Sequence, residues 1–234
     1  MKFKIDIYAD GAEISNIKSL NQLDHIKGFT TNPTLMKKSG VINYESFAKE
    51  FLNIVNEKPI SFEVFADDLN EMYSQAIKIN EWGKNVYVKI PITNTKSQSC
   101  IDLIKKLNKK RIKCNVTAVF TYNQVKEIIE DETLEEELII SVFAGRIADT
   151  GLDPIPLMKN FSEKMNAKSN FKLLWASPRE ILNIFHAELS GCDIITVPHD
   201  LLNKLNLIGK DLEDFSLDTV NMFYKDALNS KFTI

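Results

Sequence analysis

Lys89 is set in an apolar run with strand character, Val86-Tyr87-Val88-Lys89-Ile90-Pro91. An ammonium does not settle among β-branched residues without a use or an escape route, because desolvation penalises the charged form. A neutral lysine is a nucleophile and can form a Schiff base with a carbonyl compound. Proline stops the run, so the amine is expected near the C-terminal end of a strand, where α/β barrels place their chemistry. The competing reading is an edge-strand lysine that snorkels to solvent. The strand alone supports both.

Polar groups also collect at the ends of other strand-like runs. Side chains alternate along a strand, so parity tells which of them share a face. Asp10 closes the first run, Thr30 and Asn32 follow the second, and Glu63 shares a face with Ser61 in the third. Asn115 and Thr117 share a face at the end of the fifth, Ser141 lies in the sixth with Arg146 after it, and Ser177 and Arg179 follow the seventh. Taken singly, Thr30-Thr31-Asn32-Pro33 reads as a turn and Ser177-Pro178-Arg179 as a helix start with proline at its first position. Carboxylates and a lysine on the inward faces of several strands are different, because unpaired charges there would destabilise the fold unless they served a function.

The elements that must position these groups alternate. Strand-type runs are expected at residues 3–9, 26–30, 60–66, 86–90, 112–116, 138–143, 171–175 and 193–197. Between them, helical spacing covers 46–55, 69–79, 97–107, 122–129, 154–165 and 178–189. Eight strand and helix units imply parallel strands with right-handed crossovers, hence a single (β/α)8 TIM barrel of class α/β spanning residues 1–234. Its strand C-termini would bring the polar groups to one mouth. An additional C-terminal helix is expected at about 216–229, with Ser216 as N-cap and Val220, Phe223, Tyr224 and Ala227 on one side. Its apolar side fits ordinary packing across the barrel and self-association equally well, and a homo-oligomer is the expected assembly.

Composition narrows the function classes. The 234-residue chain is 44% hydrophobic with a formal net charge of −3, which gives no reason to expect a nucleic-acid or membrane partner. The basic run Lys105 to Arg111 coincides with core-spaced Ile101, Ile104 and Leu107, so it reads as a solvated helix face. Cys100, Cys114 and Cys192 are odd in number and far apart, which argues against a disulfide framework or a structural zinc site and favours a reducing, cytoplasmic compartment. The N-terminus lacks the apolar stretch of a signal peptide, and no segment approaches transmembrane length. No GxGxxG or GxxxxGK[ST] loop follows any strand, so no nucleotide cofactor is expected.

Phe29-Thr30-Thr31-Asn32-Pro33-Thr34-Leu35, Val88-Lys89-Ile90-Pro91, Asn115-Val116-Thr117 and Ser141-Val142-Phe143-Ala144-Gly145-Arg146 resemble, in order and along essentially the whole chain, the motifs of the transaldolase family, which includes the small fructose-6-phosphate aldolases. The resemblance implies an α/β barrel and a Schiff base between Lys89 and a ketose. Asp10 would take the proton from the C4 hydroxyl, and Glu63 with Thr117 would position a proton-shuttling water. Thr30, Asn32, Asn115 and Ser141 would line the substrate site, the last three holding the dihydroxyacetone fragment, while Arg146, Ser177 and Arg179 would bind phosphate. The expected activity is transfer of a dihydroxyacetone unit between sugar phosphates, in carbohydrate metabolism of the pentose phosphate type, without metal or organic cofactor. Glutamate rather than glutamine at position 63 favours the transaldolases over the aldolases that release dihydroxyacetone. A non-catalytic sugar-phosphate-binding barrel is the alternative from another class.

Overall fold

In the computed structural model, described for residues 3–165, 168–230 and 232–233, eight parallel strands close into a barrel in the order in which they occur along the chain. The strands are β1 (Asp6–Asp10), β2 (Ile26–Thr30), β3 (Ile60–Glu63), β4 (Val86–Pro91), β5 (Cys114–Val119), β6 (Leu138–Val142), β7 (Phe171–Trp175) and β8 (Ile194–Pro198). Helices α1 (Ile14–Asn21), α2 (Pro33–Lys38), α3 (Tyr44–Ile54), α4 (Leu69–Asn80), α5 (Ile101–Asn108), α6 (Tyr122–Ile129), α7 (Ala144–Ala148), α8 (Ile155–Met165), α9 (Leu182–Leu189) and α10 (His199–Leu202) connect or follow them. Each strand but the last leads through at least one helix to its parallel neighbour, the arrangement expected for a (β/α)8 barrel. The chain separates into two compact units, Met1–Leu202, which holds the barrel, and Asn203–Ile234. The second contains a short 3-10 turn and the 19-residue α11 (Leu212–Ser230).

The alternation along the strands divides the core in two. On β4, Val86, Val88 and Ile90 share one face and Tyr87 and Lys89 the other, and all five are buried. Tyr8, Tyr87, Ile139, Leu174, Ala176 and Ile194 form one buried cluster contributed by β1, β4, β6, β8 and the β7 end, which fills the barrel below the polar groups. Tyr8 fits because residue 28 on the adjacent strand is glycine: a Cβ there would lie 2.6 Å from the Tyr8 ring. Outside the barrel, Phe51 of α3 meets Phe29 and Phe62 edge-on, at centroid separations of 5.5 and 5.7 Å. Burying such a ring contributes about 1.5–3 kcal/mol, and here it clamps the two strands that carry Thr30 and Glu63.

The strand boundaries expected from sequence shift in places. β1 begins at Asp6 rather than Phe3, and β5 runs from Cys114 to Val119, later than expected. The Ser177-Pro178 segment is not a helix start; Ser177 takes a left-handed backbone (φ 62°) and α9 begins at Leu182. Ser216 is not an N-cap: α11 starts one turn earlier, where the Asp211 carboxylate accepts the backbone N–H groups of Glu213 and Asp214. Among the described residues, no helix is long and apolar enough to cross a membrane.

Candidate active site

The register of adjacent parallel strands assembles the mouth. Asp10 pairs with Thr30 across β1 and β2, Glu63 with Lys89 across β3 and β4, and Lys89 with Asn115 across β4 and β5. Lys89 is 6% exposed, and its Nζ lies 3.1 Å from Glu63 Oε2 and 3.1 Å from the carbonyl oxygen of Thr31. The snorkelling reading therefore fails: the ammonium is held inside the barrel by a carboxylate and a backbone acceptor. Such a pair in a weakly solvated site is costly to assemble, which makes it a candidate functional group.

Thr117 lies where β5 departs from regular pairing. The register with β6 shifts between Val116 and Val119, and Ala118 takes a left-handed backbone (φ 57°). Bulges of this kind re-aim a side chain next to a site. Thr117 lines the cavity beside Lys89, and its buried hydroxyl has no hydrogen-bond partner among the described residues. A buried hydroxyl in that condition is a ready receptor for a ligand oxygen.

Asp10, Thr30, Asn32, Glu63, Lys89, Thr117, Ser141, Arg146 and Ser177 line one cavity of about 370 Å³. Burial pushes the Asp10 carboxyl above the usual carboxylate range, against the pull of the Lys89 ammonium and of the hydrogen bond from Thr30, and the Glu63 charge raises it further. Thr30 Oγ1 donates to Asp10 Oδ1 at 2.7 Å. Asn32 caps α2 by accepting the N–H of Leu35, with Pro33 at the first helical position. Its side-chain oxygen is thus committed to the cap, and the residue lines the cavity from there.

Two of the expected site residues do not line the cavity. Asn115 is fully buried behind it, donating to Ser61 Oγ at 2.9 Å and accepting from Ser141 Oγ at 2.6 Å. It fixes the rotamer of Ser141, which does reach the cavity. Arg179 turns outward into a two-pronged ion pair with Asp149, whose carboxyl it holds below the usual range. Arg146 remains as the guanidinium in the lining, lying over the Phe143 ring at 5.4 Å. Gly145 lets this segment approach Ser177, because a Cβ at residue 145 would fall 1.5 Å from the Ser177 carbonyl oxygen.

Phe143, Ala176 and Thr196 also line the cavity but were not among the expected residues. Thr196 was accessible to parity, since it alternates with the outward Ile195 and Val197 on β8. What concealed it was closure: only when β8 pairs with β1 does it approach Thr30.

The fold recurs in solved structures of low sequence identity. The tryptophan synthase alpha subunit of Campylobacter jejuni matches with a TM-score of 0.56 at 14% identity, over 85% of this chain and 88% of that one. A dihydrodipicolinate synthase of Rhodopseudomonas palustris matches with a TM-score of 0.51 at 11% identity, over 96% and 80%. These likenesses concern the barrel alone. Sequence relatives say more. A probable transaldolase of Dehalococcoides mccartyi is 33% identical over 85% of this chain and 89% of its own length. A probable transaldolase of Methanococcus maripaludis is 34% identical over 92% and 97%, and the probable transaldolase 2 of Listeria monocytogenes 33% identical over 93% and 95%. The model of the transaldolase/fructose-6-phosphate aldolase family matches residues 7–233, and with relatives of this identity and coverage the chain belongs to that family.

Proposed function

We propose that the protein is a Schiff-base transaldolase, moving a dihydroxyacetone unit from a ketose phosphate such as fructose 6-phosphate or sedoheptulose 7-phosphate to an aldose phosphate. The observation that carries this reading is the buried Lys89–Glu63 pair, in one cavity with Asp10 and Arg146. Glu63 takes a proton from the Lys89 ammonium, and the free amine attacks the ketose C2 carbonyl. Water leaves to give the iminium, with Glu63 and Thr117 passing the protons. Asp10 then removes the C4 hydroxyl proton, the C3–C4 bond breaks, and its electron pair moves into the iminium to give an enamine. The aldose phosphate departs. The acceptor aldehyde takes the new bond from C3 and the proton from Asp10, and water releases the product from Lys89.

Asn32 and Ser141 hold the hydroxyls of the three-carbon unit, with Asn115 keeping Ser141 in place. Arg146 and Ser177 receive the phosphate at the mouth. A cytoplasmic setting in pentose phosphate metabolism belongs to the same reading, and the three buried free thiols support a reducing compartment. So does self-association: no residue of α11 is buried, and Phe215, Val220, Phe223 and Tyr224 present apolar surface that a second copy would cover.

The phosphate assignment makes a prediction. Arg146→Ala is expected to raise KM for a phosphorylated ketose about 10- to 100-fold, the loss of a charge-assisted hydrogen-bonding partner. Arg179→Ala should change it by less than about fivefold, because it removes an exposed ion pair with Asp149. Steady-state kinetics on the two variants checks both, and equal effects would return Arg179 to the phosphate site.

Release of glyceraldehyde 3-phosphate from fructose 6-phosphate, followed with and without erythrose 4-phosphate, tests the function. Sustained turnover that requires the acceptor is the expected result. Equal turnover without it would identify an aldolase that releases dihydroxyacetone. Silence in both assays, with no ketose trapped on Lys89 by borohydride, would identify a non-catalytic binding barrel.

A further inference from the structure

Thr196 sits on β8, 6% exposed, with its Oγ1 2.5 Å from Thr30 Oγ1, while the same Thr30 oxygen lies 2.7 Å from Asp10 Oδ1. Three side chains from three consecutive strands around the closure, β8, β1 and β2, therefore form one chain of oxygens ending at the carboxylate. A hydroxyl has one hydrogen to donate, and an ionised carboxylate can only accept. When Asp10 is ionised, the single Thr30 hydrogen goes to Asp10, so the contact with Thr196 is satisfied only if Thr196 donates.

We propose that Thr196 is a positioning residue for the base: by donating to Thr30 it commits Thr30 as the donor to Asp10, which holds the carboxylate ionised and in a fixed rotamer. The proposal rests on the assignment of Asp10 as the base. When Asp10 takes a proton from substrate, it becomes a donor to Thr30, and Thr30 turns to donate to Thr196. The order of hydrogen bonds reverses by rotation of hydroxyl hydrogens, with no bond between heavy atoms formed or broken. Serial donors polarise one another, so the second hydroxyl strengthens the first. This opposes the burial that raises the Asp10 carboxyl. Among the described residues, Lys89 from β4 and Glu63 from β3 are the charged groups that act on Asp10, and Arg146 from α7, Glu13 ahead of α1, and His199 and Asp200 from α10 line the two cavities that Asp10 borders. None of these is on β8 near Thr196, so an uncharged substitution there leaves the set intact.

The test is the titration of Asp10 in 13C-aspartate-labelled full-length protein, with the Asp10 resonance assigned by its loss in Asp10→Asn. Thr196→Val keeps the side-chain shape without the hydroxyl, Thr196→Ala removes the hydroxyl independently, and Thr196→Ser retains it. The expected result is a midpoint raised by about half to one pH unit in the Val and Ala variants, the scale of one lost hydrogen bond, and restored in the Ser variant. The acid limb of kcat/KM should move with it. An unmoved midpoint in the hydroxyl-free variants overturns the proposal, and so does a Ser variant shifted as far as Val, which would mark a packing effect. The titration needs no turnover, so a wild-type protein that neither cleaves nor traps a ketose would refute the proposed function while this readout still decides the hydrogen-bond chain.

Discussion

Lys89→Ala is expected to trap no ketose under borohydride and to lose transaldolase turnover by at least about 10⁴-fold, the scale on which deletion of a covalent nucleophile is felt. No neighbouring group can substitute. Glu63 is the closest ionisable partner at 3.1 Å, and Asp10, also in the cavity, is likewise a carboxylate. Neither forms an iminium, so the electron sink for C3–C4 cleavage disappears with the amine. The fold should survive. Removing one partner of a deeply buried pair costs about 3–5 kcal/mol, but Glu63 is 17% exposed at the cavity wall and can rehydrate, so about 1–2 kcal/mol is the expected loss. Thermal unfolding of the variant measures this directly, and mass spectrometry after reduction measures the adduct. A Lys89→Ala enzyme of wild-type rate would remove the Schiff-base reading altogether.

The barrel was legible because its strands are short β-branched runs separated by segments with helical spacing. β2 and β7 were located to the residue, Ile26–Thr30 and Phe171–Trp175, since each is bounded by polar or turn-forming residues. The ends of β1 and β5 were less clear. Phe3 extends the alternating pattern of the first strand, yet hydrogen bonding to β8 begins only at Asp6, and the bulge at Ala118 carries β5 past the point where a regular register would end. Helices α1, α2, α7 and α10 lie outside the expected helical stretches for another reason. At four to eight residues they complete too few turns for a 3.6-residue period to stand out.

The site was legible to the extent that it depends on strand parity, and not where it depends on tertiary partners. Parity alone places Glu63, Lys89, Thr117 and Ser141 on inward faces, and all four reach the cavity. Asn115 has the same parity as Thr117, but its amide is taken up by Ser61 and Ser141 one layer below. Arg179 has a plausible position in sequence, and nothing local reveals that Asp149, thirty residues earlier, captures its guanidinium. Thr196 lies on a strand whose partner is the first in the chain, so its nearness to Thr30 exists only after closure.

Asp10→Asn should separate the two halves of the reaction that Lys89→Ala removes together. The amide keeps the shape of the carboxyl but cannot take the C4 hydroxyl proton, so kcat is expected to fall by about 10² to 10⁴-fold, the usual range for a lost general base. In the proposed mechanism iminium formation depends on Lys89, Glu63 and Thr117, so the variant should still be labelled by ketose and borohydride, with the adduct now accumulating ahead of cleavage. The pH dependence supplies an independent sign. A base works when deprotonated, and burial raises the Asp10 carboxyl, so wild-type kcat/KM should decline as pH falls through a midpoint above the ordinary carboxylate range. In Asp10→Asn that limb should vanish from the residual activity. A variant that kept kcat within about threefold, or that retained the acid limb unchanged, would transfer the role of base to another group. Glu63, the other carboxylate in the same cavity, would be the first to examine.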